Sequence, residues 1–139
     1  MKIVYLVLSA TLGASALVGI QILATDFWLW SAAPTHAYGL TAFVGLDLAL
    51  IFAVWRVTRL AIFGALLTAT FQLVAMLGDI VGGQPAGLPA AVFRNYLLAD
   101  TAYVGLLFTQ GLIVAITVGT WARPHLHGHW LASLKMSRE

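Results

Sequence analysis

One carboxylate in this sequence stands far from every other charged residue. Asp47 lies within residues 40–55, a stretch that holds no other Asp, Glu, Lys, Arg or His. An aspartate at the centre of a membrane costs roughly 2.5–3.5 kcal/mol on insertion scales, so such residues generally have a partner. The candidate partners are the polar residues that lie at similar depth in the other apolar stretches: Ser15, Thr70, Gln72, Thr109 and Gln110. Two interpretations stay open. The layer is either a proton or cation site in which Asp47 titrates, or a polar clasp that fixes helix register or contacts a partner subunit.

A second polar layer is expected where the apolar stretches end. It contains His36, Asp79, Asp100 and Arg94. One histidine with two carboxylates can hold a divalent metal such as Zn, Mn or Fe. An arginine in the same layer works against cation binding, so the sequence favours a network of salt bridges in which Arg94 pairs with Asp79 or Asp100.

The third candidate group is a row of histidines near the end of the chain, His125, His127 and His129. Alternate residues of an extended segment point the same way, so three imidazoles could converge on Cu, Ni or Zn. Structural zinc sites have four ligands, and the chain has no cysteine to complete one. The favoured alternative is a polar segment that faces lipid headgroups. The sequence requires no cofactor; we expect bound lipid, and a metal ion stays an open alternative.

The elements that must position these groups are four apolar stretches, at about residues 3–24, 37–55, 60–81 and 97–119. A helix of about 20 residues crosses the hydrocarbon core of a bilayer. Hydrophobic residues make up 61% of the chain and charged residues 9%, with a mean hydropathy of +0.95. The sequence therefore predicts an all-α, polytopic membrane protein. We expect one domain, residues 1–139, formed by an antiparallel bundle of four transmembrane helices with a short cytoplasmic tail at 120–139.

The loops predict an orientation. Six of the seven basic residues fall on one side of a path that crosses the membrane four times, and only Arg94 falls on the other. By the positive-inside rule, both termini are cytoplasmic in a multi-pass protein of the plasma membrane. The basic residues form no dense patch, so nucleic acid is not an expected partner. On the opposite side, residues 25–36 hold aromatic residues typical of the membrane interface, and residues 82–96 are expected to be a turn-rich loop without a helix.

The function is predicted partly from what is missing. The sequence contains no HExxH, Walker or GxSxG motif. Gly111, Ala115 and Gly119 have a spacing that lets transmembrane helices approach closely. These features favour an accessory, non-catalytic subunit bound to other integral membrane subunits, with a respiratory or oxidase-type assembly as the expected host. One alternative is a small proton- or cation-coupled transporter or channel that uses Asp47. Another is a protein that handles copper or a different metal.

A short segment carries a resemblance. The sequence APTHAYGL at residues 33–40, followed by Asp47, resembles small uncharacterised four-span membrane proteins of archaea, including those of ammonia oxidisers. The resemblance implies a four-span fold and an archaeal lineage. It implies no activity, cofactor or site residue.

Overall fold

A computed structural model of the protein describes residues 2–56, 59–83 and 87–121. Every element in these ranges is a helix: α1 (Lys2–Thr25), α2 (Phe27–Ala32), α3 (Pro34–Trp55), α4 (Arg59–Gly82), α5 (Ala90–Ala99) and α6 (Thr101–Trp121). Among them, α1, α3, α4 and α6 are long and apolar enough to cross a membrane. The predicted all-α class and the four candidate transmembrane helices are confirmed.

Two of the four spans begin at residues other than those predicted. The second begins at Pro34 and not at residue 37, because proline lacks an N–H and has a φ suited to the first turn of a helix. The fourth begins at Thr101 and not at residue 97. Asp100 interrupts the chain there with an extended backbone (φ −80°, ψ 110°), and its Oδ1 accepts a hydrogen bond of 2.8 Å from the Ala102 N–H. This carboxylate therefore caps α6.

Two short helices occupy segments that the sequence predicted as loops. The Asp26 side chain accepts a 3.0 Å hydrogen bond from the Leu29 N–H and so caps α2. Helix α5 starts directly after Pro89, and its buried residues Phe93 and Leu97 are one turn apart. The expectation that residues 82–96 contain no helix is corrected, because this apolar pair gives α5 a face to bury.

The long helices form the core. Helix α1 packs against α3 and α6, and α4 packs against α6 and α3. Gly19 brings α1 close to α3, because a Cβ atom there would lie 2.5 Å from Cγ2 of Val44. The buried residues form two apolar clusters, one around Leu12 and Ile113 and the other around Ile22 and Met76. The second cluster lies at the end of the long helices that also holds Asp26, His36, Asp79 and Asp100. We call this end the acidic end.

Candidate functional site

Five residues were predicted to lie at the depth of Asp47, and two of them, Ser15 and Gln110, form a buried cluster with it. The Ser15 hydroxyl donates to Oδ2 of Asp47 at 2.5 Å, and the Gln110 Nε2 donates to the Ser15 Oγ at 2.6 Å. The three residues are 1%, 2% and 0% exposed in chain order. This central cluster, Ser15, Asp47 and Gln110, joins α1, α3 and α6. The Oε1 atom of Gln110 is buried and has no hydrogen-bond partner.

The other predicted members of this layer do not join the cluster. Thr70 is exposed on α4. The Thr109 hydroxyl donates to the backbone oxygen of Leu106 at 2.8 Å, within its own helix. Gln72 is 3% exposed, and in the described part of the chain no hydrogen bond links it to Asp47. Gln72 instead lines a cavity at the acidic end.

This cavity has a volume of about 440 Å³. All six helices contribute to its wall, which includes the ionisable residues of the acidic end together with aromatic and aliphatic side chains. The carboxylates are Asp26, Asp79 and Asp100, and the described residues of the wall include His36 but no lysine or arginine. We call it the acidic cavity. Its size is in the range of small-molecule sites, which are concave, mostly apolar and contain a few placed polar groups.

A hydrogen bond between side chains joins α3 to α4 in the wall. The Nε2 atom of His36 lies 3.1 Å from Oδ1 of Asp79, and the two side chains are 35% and 25% exposed. Because a carboxylate only accepts, Nε2 carries the proton. Arg94 is exposed on α5, and among the described residues it forms no ion pair with Asp79 or Asp100. The structure thus pairs Asp79 with histidine and not with the predicted arginine.

The metal site that was considered as an alternative for His36, Asp79 and Asp100 is not assembled in the described ranges. Asp100 directs Oδ1 to the Ala102 N–H, while Asp79 bonds His36. Within residues 2–56, 59–83 and 87–121, no group of three or more His, Asp or Glu side chains is close enough to hold a metal ion. The histidines at 125, 127 and 129 lie outside the described residues.

Aromatic residues from the short helices α2 and α5 complete the wall of the acidic cavity. The Tyr96 hydroxyl donates to Oδ2 of Asp26 at 2.6 Å. Burial raises the pKa of the Tyr96 hydroxyl, and the hydrogen bond to Asp26 and the charges of Asp26 and Asp100 raise it further. Tyr96 therefore stays protonated and keeps donating. The Trp28 ring lies 4.7 Å from the Tyr96 ring and 6.1 Å from that of Phe93, so Trp28 helps to line the cavity.

The inner part of the wall contains an unpartnered acceptor. Oε1 of Gln72 is buried and has no hydrogen-bond partner. The nearby Tyr103 hydroxyl, also in the wall, donates instead to the backbone oxygen of Met76 at 2.9 Å. A buried polar atom without a partner costs about 1–3 kcal/mol, so an acceptor left in this state beside a cavity is a feature to explain.

Sequence reasoning missed Tyr96 and Tyr103 as members of this site. Tyr96 gave no signal because its segment was expected to be a loop; only in helix α5 does it lie three residues after Phe93, on a neighbouring part of the helix surface. The chain matches no family model, no curated protein and no solved structure.

Proposed function

We propose that the chain forms an antiparallel four-helix bundle in the plasma membrane, with both termini in the cytoplasm. The contacts of Asp26 with Tyr96 and of His36 with Asp79 support the antiparallel arrangement, because they bring the end of α1 to α5 and the start of α3 to the end of α4. The distribution of basic residues supports the orientation.

Cysteine labelling tests this topology without background, because the chain has no cysteine. In intact cells, a membrane-impermeant maleimide should label Ser31→Cys, and it should label Ser133→Cys only after permeabilisation. The reverse pattern would overturn the orientation.

Within this topology, we propose an accessory, non-catalytic subunit of a larger membrane complex. The outer face of α6 is the observation that supports this proposal most. Its inward face holds the buried residues Leu106, Gln110, Ile113 and Thr117. On the outer side, Ala115 and Gly119 are exposed, and a Cβ atom added to Gly111 or Gly119 would meet nothing within 4 Å. Helices in lipid associate by close packing and not by the hydrophobic effect, so a row of small residues on an open face fits a neighbouring transmembrane helix.

The central cluster supports the same proposal. The buried carboxylate of Asp47 accepts from Ser15, which in turn accepts from Gln110, and each side chain comes from a different helix. This arrangement stabilises the contact of three helices. A respiratory or oxidase-type assembly remains the proposed host.

Native electrophoresis of a mild detergent extract tests the subunit proposal. The wild-type chain should migrate in a complex several times its own 14.9 kDa mass. Gly111→Leu should release it, because a large side chain blocks close approach on α6. Gly45→Leu is the matched control, since Gly45 is exposed on α3 and a Cβ atom there also meets nothing within 4 Å. Migration of the wild type as a lone monomer would reject the proposal.

Transport is the second candidate, and the specific observation in its favour is the buried Asp47. The test is ion flux in proteoliposomes that contain the wild type or Asp47→Asn. Asparagine still accepts from Ser15 but carries no charge. Flux that is lost in this variant while the fold is retained would assign Asp47 to transport, and absence of flux in the wild type would reject it.

A further inference from the structure

The acidic cavity offers hydrogen-bond acceptors to a ligand, while several of its donors are used within the wall. His36 donates to Asp79, Tyr96 donates to Asp26 and Tyr103 donates to the backbone of Met76. Asp79 and Asp100 each use Oδ1 in these contacts, and among the described residues neither Oδ2 has a hydrogen-bond partner. A ligand that donates hydrogen bonds therefore matches the wall.

The charge of the wall selects further. Three carboxylates and one histidine line the cavity, and the described lining includes no lysine or arginine. The wall is negative whether His36 is neutral or protonated. Aromatic rings, which attract cations through their faces, lie beside these carboxylates in Trp28, Phe93 and Tyr96. Carboxylates next to aromatic rings can together bind an organic cation.

Gln72 is the observation that points independently to a ligand. This residue is 3% exposed, lines the cavity, and has a buried Oε1 without a partner. An N–H or O–H group of a bound molecule would satisfy that oxygen once the side-chain amide turns it towards the cavity. Gln72 precedes Asp79 by seven residues on α4, which places it about 10 Å further into the helix bundle at 1.5 Å per residue.

The wall between these levels is apolar. Met76, Phe43 and Leu106 line it together with Tyr103. A molecule that reaches from the carboxylates to Gln72 therefore needs an apolar body between two polar ends.

We propose that the acidic cavity binds an organic ammonium ion with an aromatic or alkyl body and a second hydrogen-bond donor at its far end. The ammonium group lies at the free oxygens of Asp79 and Asp100, the body lies against the aromatic and aliphatic wall, and the far donor bonds Oε1 of Gln72. Binding neutralises part of the negative wall and supplies the hydrogen bond that Gln72 lacks. This assignment is independent of whether the chain has a partner subunit.

Other ligand classes fit the same wall poorly. An anion meets three carboxylates. A neutral carbonyl compound such as a quinone ring brings only acceptors, so it leaves Oε1 of Gln72 and the free carboxylate oxygens without a donor. A bare divalent metal finds no group of three ligands among the described residues.

The probes are four small molecules that share one aromatic body. Tyramine has both the ammonium and the hydroxyl group, phenethylamine has only the ammonium, 4-ethylphenol has only the hydroxyl, and 4-hydroxyphenylacetate replaces the cation with an anion. Binding to the full chain in nanodiscs is measured by titration calorimetry. Tyramine should bind saturably and about tenfold more tightly than phenethylamine, the effect of one buried hydrogen bond. The two molecules without a cation should bind much more weakly.

Two variants separate the ends of the ligand. Gln72→Leu should lower tyramine affinity about tenfold and leave phenethylamine affinity unchanged, because only tyramine reaches Oε1. Leucine has a similar volume and removes an unpartnered oxygen, so this variant should fold. Gln21→Leu is the matched control, since Gln21 is exposed on α1 and is not part of the wall. Asp79→Asn should weaken both amines.

The proposal is overturned if tyramine shows no saturable binding, or if the neutral or anionic probe binds as tightly as tyramine. It is also overturned if Gln72→Leu weakens tyramine and phenethylamine equally, because the far donor would then not bond Gln72. A selective loss for tyramine in Gln72→Leu, with wild-type affinity in Gln21→Leu, supports it.

Discussion

The central cluster and the acidic cavity are built from the same kinds of residue. They differ in how completely the surrounding protein encloses those residues. In the cluster, Ser15 and Gln110 donate in series towards Asp47, and all three side chains are buried. In the cavity wall, Asp79 is partly exposed, and Gln72 lines the empty volume and has an unpartnered oxygen. Gln110 also has an unpartnered oxygen, but it is not part of that wall. An aspartate and a glutamine in an apolar bundle can therefore fix helices in one place and present acceptors in another, depending on the space around them.

Substituting leucine in both regions is the strongest test of this difference. Ser15→Leu should lower the free energy of unfolding by about 3 kcal/mol, because it overpacks a closed contact and leaves Asp47 without its donor. Gln72→Leu should change it by less than about 1 kcal/mol, since the cavity adjoins that side chain. SDS-induced unfolding in mixed micelles measures both.

The control for this pair is Ala14→Leu, next to Ser15 on the exposed side of α1. It should leave the unfolding midpoint unchanged. Equal losses of unfolding free energy in Ser15→Leu and Gln72→Leu would show that the protein encloses the two regions equally.

The next largest effect concerns the packing that shapes the cavity. A Cβ atom on Gly83 would lie 2.7 Å from the Asp79 backbone oxygen and 2.8 Å from Cε1 of Phe93. Gly83→Ala should therefore cost about 2 kcal/mol by overpacking. At Gly82 a Cβ atom meets nothing within 4 Å, so Gly82→Ala should stay within about 0.5 kcal/mol of the wild type. Thermal unfolding in detergent compares the two, and an equal effect would contradict the close contact.

A smaller loss is expected at the start of α6. Asp100→Ala removes the cap on the Ala102 N–H and should cost about 1 kcal/mol. Asp100→Asn keeps a capping oxygen and should retain most of this stability while it removes one negative charge from the cavity wall. The same thermal assay measures the stability. If the asparagine variant is as unstable as the alanine variant, the charge matters and not the cap.

The smallest effect is spectroscopic and depends on pH. Because the pKa of Tyr96 is raised, its hydroxyl stays protonated where an ordinary tyrosine, with a pKa of about 10, loses its proton. Tyr96→Phe should therefore leave the rise in tyrosinate absorbance between about pH 9 and pH 11 unchanged. A rise that is smaller in the variant would mean that Tyr96 ionises in this range and that its contact with Asp26 does not protect it.

The sequence predicted the long helices well because membrane thickness sets the length of an apolar run. Asp47 and Gln110, which the sequence assigned to one layer, are linked through Ser15 in the structure. Depth does not determine rotation about the helix axis, however. Gln72 was assigned to the layer of Asp47, yet its side chain lines the cavity, and Thr70, two residues earlier, points roughly 200° away and is exposed.

The acidic end was harder to predict because it depends on the short helices α2 and α5. Glycine and proline around residues 82–89 suggested a loop throughout. The helix that follows brings Tyr96 to Asp26, a contact across 70 residues of sequence that no local pattern specifies.

The hydrogen bond from Ser15 to Asp47 has a consequence for biosynthesis. Ser15 belongs to α1 and Asp47 to α3, so the donor is translated and enters the membrane before the aspartate does. The nascent chain therefore already contains a hydrogen-bond partner for the Asp47 carboxylate before α4 and α6 are translated. Gln110 lies on the last of the four long helices, so it can add its hydrogen bond to Ser15 only after that helix has been made.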